Sequence, residues 1–467
     1  MERHLVCRHL LTPEGWFSPG YLQIASDGMI VSVSCERPAA WEGRLTETID
    51  GFVLPGLANL HSHTHQRGLS GHAEGWEQGK DHVTFWDWRA KMYAFVNRLS
   101  PDDFEALSAQ AYLEMLQSGF TSVAEFHYLH NAPDGRPYDD PAELSRRVQA
   151  AANQTGIGLT LLPSLYMNGG IGKPPFPEQR RFLLDVDSFL GMVERLKQDE
   201  SGDSRFRVGI APHSLRAVGG EDLQRVVAYA HALDATMPVH IHVAEQQREV
   251  QETLAALGAR PIEWLLGSFP VDERWALIHA THCNPDERVS MASRGVTVGL
   301  CPTTEANLGD GFFPLPDYDL DGGRWGVGTD ADLHPSVADE LRQVEYAQRL
   351  LHQRRDVIHD PSNPHALHPG QLLVERSARG GAQALAQPIG ALVPGLRADL
   401  IVLDPLHLAL IGHRPETACD GWIFTGGDSV IRDVMVGGNW VIRDRHHVRG
   451  YEITNRFRQV MKRLWER

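Results

Sequence analysis

Four places in this 467-residue chain gather side chains that bind divalent metals. The first is His61-Ser62-His63, directly after an apolar run. Residues i and i+2 of an extended segment point the same way, so two imidazoles would leave one strand end together. The others are His240-Ile241-His242-Val243-Ala244-Glu245, His279-Ala280-Thr281-His282 and Gly328-Thr329-Asp330. Each alone has a plain structural reading, a satisfied histidine or an aspartate capping a helix. Together, in chain order at the ends of four strands, they read as one metal site. Imidazoles and a carboxylate around a divalent ion leave room for a water, which is the arrangement of a hydrolase.

Such a site needs strands that end on one face. Eight short apolar runs fit: Gly56–Leu60, Ser122–Glu125, Gly158–Pro163, Arg207–Ala211, Pro238–Val243, Ala276–Ile278, Val296–Leu300 and Trp325–Gly328. Helical patterns lie between them, among them Asp102–Gln117, Pro141–Asn153, Val186–Gln198, Gly220–Leu233, Glu245–Leu257 and Pro285–Ser293. Eight strands alternating with helices predict an α/β chain with a closed parallel (β/α)8 TIM barrel. Its active site belongs at the carboxyl ends of the strands, where the four motifs fall: strands one, five, six and eight. The flanks differ. Tyr21–Ile24, Met29–Val33, Leu400–Leu403 and Val434–Val436 alternate like short strands, and Gly437-Gly438 before Trp440–Ile442 reads as a hairpin turn. The expected domains are 1–55 plus 392–445 as a small β-sandwich built from both chain ends, 56–391 as the barrel, and 446–467 as a C-terminal region whose helix spans Thr454–Arg467.

Composition narrows the function. The formal net charge is −16 with no basic block, which argues against nucleic-acid binding. No run reaches the ~18 apolar residues of a membrane span. The start, Met1 to Val6, enters a strand pattern without a signal-peptide core, so a cytoplasmic setting is expected. The five cysteines (Cys7, Cys35, Cys283, Cys301 and Cys419) are dispersed, which argues against disulfides and against a thiolate metal site.

These motifs, with Gly395-Leu396-Arg397-Ala398-Asp399-Leu400-Ile401-Val402-Leu403-Asp404 at the re-entry into the small domain, resemble the amidohydrolase superfamily in its mononuclear deaminase branch. The resemblance covers nearly the whole chain. It implies that His61, His63, His242 and Asp330 hold zinc and that His240 does not. The fourth strand ends in Ala211-Pro212-His213, with no lysine to bridge a second metal, so one ion per chain is implied. Iron or another divalent ion would suit the same donors. Three neutral imidazoles and one carboxylate would leave the ion able to bring the pKa of a water towards ~7. Glu245, three residues past His242, would move protons beside the metal without binding it. His279 would orient the water or steady the developing charge, and Asp330 would also accept the water's proton.

Longer stretches resemble the members of that branch that act on a linear amidine carrying two carboxylates. They are His61–Arg67, Phe85–Arg89, Glu125–His130, Ala211–Arg216 and Gly299–Gly311. One departure is Asp330-Ala331-Asp332, where a serine would be expected after the ligand. The resemblance implies a small dicarboxylate amidine as substrate and a homodimer as assembly. Arginine is the natural bidentate carboxylate receptor, and Arg89 and Arg216 are the candidates. Tyr128 and His213 would complete the carboxylate contacts, Gln66 would bind the amidine, and Trp86 and Trp88 would pack loops. The alternatives are another deaminase of the branch (guanine, nucleoside or triazine type), a two-metal hydrolase, and a non-catalytic barrel.

Overall fold

The computed structural model describes residues 2–75, 84–200, 202–355, 357–359 and 367–466. Met1, Arg467 at the expected end of the terminal helix, and 76–83 and 360–366 within the expected barrel lie outside the described residues.

All eight expected barrel strands form, in the expected order. They are Leu57–Ser62, Phe120–His127, Gly158–Leu165, a split fourth strand (Phe206–Val208 and Ala211–Pro212), Val239–Val243, Trp275–His279, Thr297–Leu300 and Arg324–Val327. Neighbours pair in parallel in two arcs, strands one to four and five to eight. Isolated parallel bridges close the ring: Ile210 to Val239 and Ser214 to His242 at one seam, Ser62 to Asp330 at the other. The fourth strand splits at Gly209, where a Cβ would stand 2.6 Å from Leu162 and 2.7 Å from Pro238. The backbone there turns from the third strand to the fifth: Gly209 N–H bonds Leu161 O and Ile210 N–H bonds Pro238 O.

Local signals explain the helices. Pro101–Ser118 starts with a capping box, in which Ser100 Oγ accepts Asp103 N–H at 3.2 Å and Asp103 accepts Ser100 N–H at 3.0 Å. It ends at Gly119, with φ 104°. Pro369–Leu385 was not among the expected helices, and its Gly380-Gly381 pair reads as a breaker in sequence. In the fold those glycines let the helix lie against the barrel. A Cβ on Gly380 would overlap the Trp325 carbonyl, and one on Gly381 would come within 2.8 Å of Ala58.

The chain ends meet in one nine-stranded sheet. Its order is His446–His447, Asn439–Arg443, Ile431–Val436, Leu400–Leu403, Glu47–Pro55, Arg3–Thr12, Gly20–Ile24 and Ile30–Ser34, with Gly15–Phe17 beside Arg3–Thr12. Alternate residues such as Leu5, Cys7, Leu22, Ile49, Val53, Leu400, Val402 and Met435 share one core, separate from that of the barrel. The sheet curls until its two halves touch. The Gly437-Gly438 turn, with φ of 55° and 72°, sits against Gly28, and Ala398 N–H bonds Gly28 O. The terminal helix is Gly450–Trp465. It lies on Pro101–Ser118, with Arg456 bonding Glu105 at 2.6 Å and Trp465 Nε1–H bonding Gly68 O at 3.0 Å. No helix among the described residues is long and apolar enough to cross a membrane.

Arg397 ties the sheet to the barrel. Its guanidinium is fully buried and bonds Asp399 at 2.7 and 2.9 Å, Gln387 at 2.9 Å, Ser122 at 2.6 Å and Ser204 O. Removing one partner of a buried ion pair strands the other charge. Arg397→Met is expected to lower stability by about 3–5 kcal/mol. Urea unfolding with an unchanged slope measures it, and a loss below about 1 kcal/mol counts against the tie.

Candidate active site

His61, His63, His242 and Asp330 converge, with one donor atom from each lying within 4.8 Å of all the others. His61 Nε2 and His63 Nε2 stand 3.4 and 3.3 Å from Asp330 Oδ1, and His242 Nε2 is 3.1 Å from His61 Nε2. The other ring nitrogens set the tautomers. His63 Nδ1 bonds Phe126 O at 2.8 Å and His242 Nδ1 bonds His213 O at 3.0 Å. A carbonyl only accepts, so both rings carry their proton there and turn bare Nε2 lone pairs inward. Burial holds His61, His63 and His242 well on the neutral side. Burial opposes the Asp330 charge, but the imidazoles around it, with His279 as the charged one, hold its pKa below the usual carboxylate range. Inward lone pairs beside a carboxylate fit a divalent cation.

His240 shares the strand face of His242 but lies two residues lower, about 7 Å down the barrel. Its Nε2 bonds Ala384 O at 2.8 Å, at the base. Glu245 stands just before the helix Gln247–Leu257, not inside it as the sequence suggested. It is buried, which raises its pKa, and it lies 3.9 Å from His279 Nε2. His279 Nδ1 bonds Glu305 Oε1 at 3.1 Å, and its Nε2 is 3.9 Å from Asp330 Oδ2. Burial opposes the His279 charge, but Glu245, Glu305 and Asp330 outweigh it and push its pKa up to about 10.

All five expected substrate residues line the cavity above this cluster: Gln66, Arg89, Tyr128, His213 and Arg216. Tyr128 Oη accepts Gln66 Nε2–H at 2.8 Å and meets His65 Nε2 at 3.1 Å. Gln66 Oε1 is buried and has no partner among the described residues. Arg89 stacks over Trp86 at 4.2 Å and Tyr93 at 5.5 Å. It lies on a helix, Phe85–Val96. Trp86 is also covered by Arg248 at 4.4 Å, and Trp88 both lines the cavity and packs on the core. Arg216 is almost fully buried beside Glu245 at 3.4 Å and Glu249 at 3.8 Å. Burial works against its charge, and those two carboxylates outweigh it.

The strand-end residues also share a backbone feature that residue types do not reveal. Ala244, His279, Ala280, Asp330 and Asp332 all have φ between 48° and 68°. That left-handed backbone costs about 1–3 kcal/mol each and turns the side chains at the strand ends. Glu305 lies 26 residues beyond His279, and only the fold brings the two together. The Asp332 departure is also explained. Ser62, between two of the converging histidines, has its hydroxyl 2.9 Å from both Glu125 Oε2 and Asp332 Oδ2. Glu125 also accepts Thr64 N–H and Oγ1–H at 2.9 Å, while Thr329 Oγ1 bonds Asp332. Asn59 bonds Thr329 Oγ1 at 2.6 Å and accepts Thr329 N–H at 3.1 Å. This chain of side chains fixes the first strand end against the eighth. Asp332→Ala is expected to weaken divalent-metal binding by about 10–100-fold, as loss of a ligand's support does. Competition with a chromophoric chelator measures it, and an unchanged dissociation constant would refute the role.

The Amidohydrolase family model matches residues 52–441. A formimidoylglutamate deiminase from Pseudomonas aeruginosa is 45% identical over 97% of this chain and 98% of its own. A 5-methylthioadenosine/S-adenosylhomocysteine deaminase from Nitratidesulfovibrio vulgaris is 29% identical over 82% of this chain and 79% of its own. Among solved structures, an amidohydrolase from Brucella melitensis superposes with a TM-score of 0.91 at 38% identity, covering 99% of both chains. An adenosine deaminase from Xanthomonas campestris with bound zinc shares the fold, with a TM-score of 0.80 at 20% identity over 99% of this chain and 98% of its own. With a family model spanning most of its length and a barrel whose strand ends converge on three histidines and an aspartate, the chain belongs to the amidohydrolase family.

Proposed function

We propose that this protein hydrolyses N-formimino-L-glutamate to N-formyl-L-glutamate and ammonia, using one zinc ion per chain, as a step of histidine breakdown. It is a hydrolase of C–N bonds, and a linear amidine is the substrate class. One observation carries the reading: two arginines line the same cavity as His63, His242 and Asp330 of the four-donor cluster, Glu245 and His279. A site for guanine or a nucleoside would call for amide hydrogen bonds and stacking in place of two guanidiniums. The 45% identity to a formimidoylglutamate deiminase supports the same substrate.

His61, His63, His242 and Asp330 would hold the cation, which when bound supplies a water ionised near neutral pH. Arg89 and Arg216, with Tyr128 and His213, hold the two substrate carboxylates. Gln66 Oε1, lacking a protein donor among the described residues, accepts an amidine N–H. Asp330 takes the proton that the water gives up. Glu245 delivers a proton to the amidine nitrogen, which departs as ammonia. Glu305 keeps His279 Nδ1 protonated and its Nε2 turned to the developing charge. The five cysteines are free, which supports a cytoplasmic setting, and family resemblance supports a homodimer of the 52.0 kDa chain.

Ammonia release is expected with N-formimino-L-glutamate and not with guanine or adenosine; the reverse pattern sinks the assignment. Glu245→Gln is expected to lower kcat by about 10²–10⁴-fold. Arg89→Met should act mainly on KM, because it removes a contact made equally in ground and transition states. Stripping the metal with a chelator should abolish turnover, and adding back zinc, iron or manganese singly shows which ion restores it. Full activity in metal-free protein contradicts the mechanism.

A further inference from the structure

Glu249 is a fully buried carboxylate with no part in the chemistry described above. It sits in the first turn of the helix Gln247–Leu257, four residues after Glu245. Its Oε1 accepts the backbone N–H of Ala244 at 3.1 Å, and its Oε2 accepts that of Glu245 at 3.2 Å. The same Oε2 lies 3.8 Å from Arg216 Nη2, which is 3.4 Å from Glu245 Oε2. One carboxylate thus touches the backbone of the proton carrier and the guanidinium assigned to a substrate carboxylate.

Two physical needs meet at this point. Ala244 has φ 52°, so the turn that projects Glu245 is strained and must be held. Two N–H groups aimed at one buried carboxylate hold it through charge-assisted bonds. The second need is charge balance. A buried guanidinium requires a counter-charge. Were Glu245 the sole counter-charge of Arg216, the ion pair would keep Glu245 ionised and would compete with the incoming substrate carboxylate. Glu245 lines the cavity and Glu249 does not. Glu249 is therefore placed to remain on Arg216 while Glu245 turns to the substrate.

We propose that Glu249 is a positioning residue of the reaction: it fixes the turn carrying Glu245 and serves as the standing counter-ion of Arg216, so that Glu245 is free to move protons. The inference rests on the roles given to Glu245 and Arg216 under the proposed function. The test compares metal-loaded wild type, Glu249→Gln, Glu249→Asp, Arg216→Met and the Glu249→Gln/Arg216→Met double variant with N-formimino-L-glutamate. Constants are taken per bound metal, alongside thermal midpoints. Glu249→Gln is expected to lower kcat about tenfold or more and to raise KM. In the Arg216→Met background the KM effect should vanish while the kcat effect stays, because only the first acts through Arg216. A merely structural role would shift the thermal midpoint and leave kcat and KM within about twofold of wild type. That result, or equal KM effects in both backgrounds, overturns the inference. If Glu249→Gln does not fold, Glu249→Asp keeps the charge on a shorter arm. Its kcat is expected to fall, and wild-type constants there overturn the inference equally. A wild type without turnover sinks the substrate reading and this inference together, whereas an active wild type with an indifferent Glu249 sinks this one alone.

Discussion

The site depends on one seam, where the eighth barrel strand closes on the first. A single backbone bridge, Ser62 to Asp330, joins them, with Asp330 N–H on His61 O and His63 N–H on Asp330 O, both at 2.9 Å. Three of the four converging donors sit on those few residues. A ladder this short cannot set their geometry, and side chains take over. Asn59, Thr329, Asp332, Ser62 and Glu125 form a continuous buried chain across the gap. Low dielectric makes each bond stronger, and makes each missing partner costlier. From outside, the Gly380-Gly381 face of Pro369–Leu385 presses on the same two strands.

Burial then does opposite things to the two kinds of charged group. It keeps the three histidines neutral, the state in which they offer lone pairs to a cation. It also makes isolated charges untenable, so charged groups stand beside partners of opposite sign: Asp330 by His279, Arg216 by two glutamates, His279 by Glu245, Glu305 and Asp330. The terminal sheet contributes at a distance. Arg397 anchors it under the barrel, and the terminal helix brings Trp465 to Gly68, a few residues past the paired histidines of the first strand. The terminal helix thus braces the segment that carries the first donors.

The eight strands were legible because parallel strands buried on both faces read as short apolar runs. The paired histidines were legible because i and i+2 share a strand face. Their spacing could not say that His242 joins the converging donors and His240 does not, since both point inward. Depth in the barrel decides that, and depth depends on where the neighbouring strands end. Arg89 was legible as a residue type but not as part of a helix, because Thr84 and Asp87 form a capping box that an aromatic-rich stretch hides. Glu249 had a readable signal, an acid four residues beyond Glu245, yet that spacing equally describes an ordinary helix N-terminal acid.

The sequence by itself determined the parts: eight strands in order, metal-binding residue types at the ends of four of them, two candidate arginines, and two chain ends able to pair. These follow from local periodicity and residue chemistry, which act over a few residues. The tertiary structure alone decided which atoms meet. The left-handed turns at Ala244, His279 and Asp330, the pairing of Glu305 with His279, and the Glu125–Ser62–Asp332 bridge join residues from 26 to 270 positions apart, apart from the local turns. Such contacts arise only when the barrel closes, because closure is what removes water from between them and makes each partner obligatory.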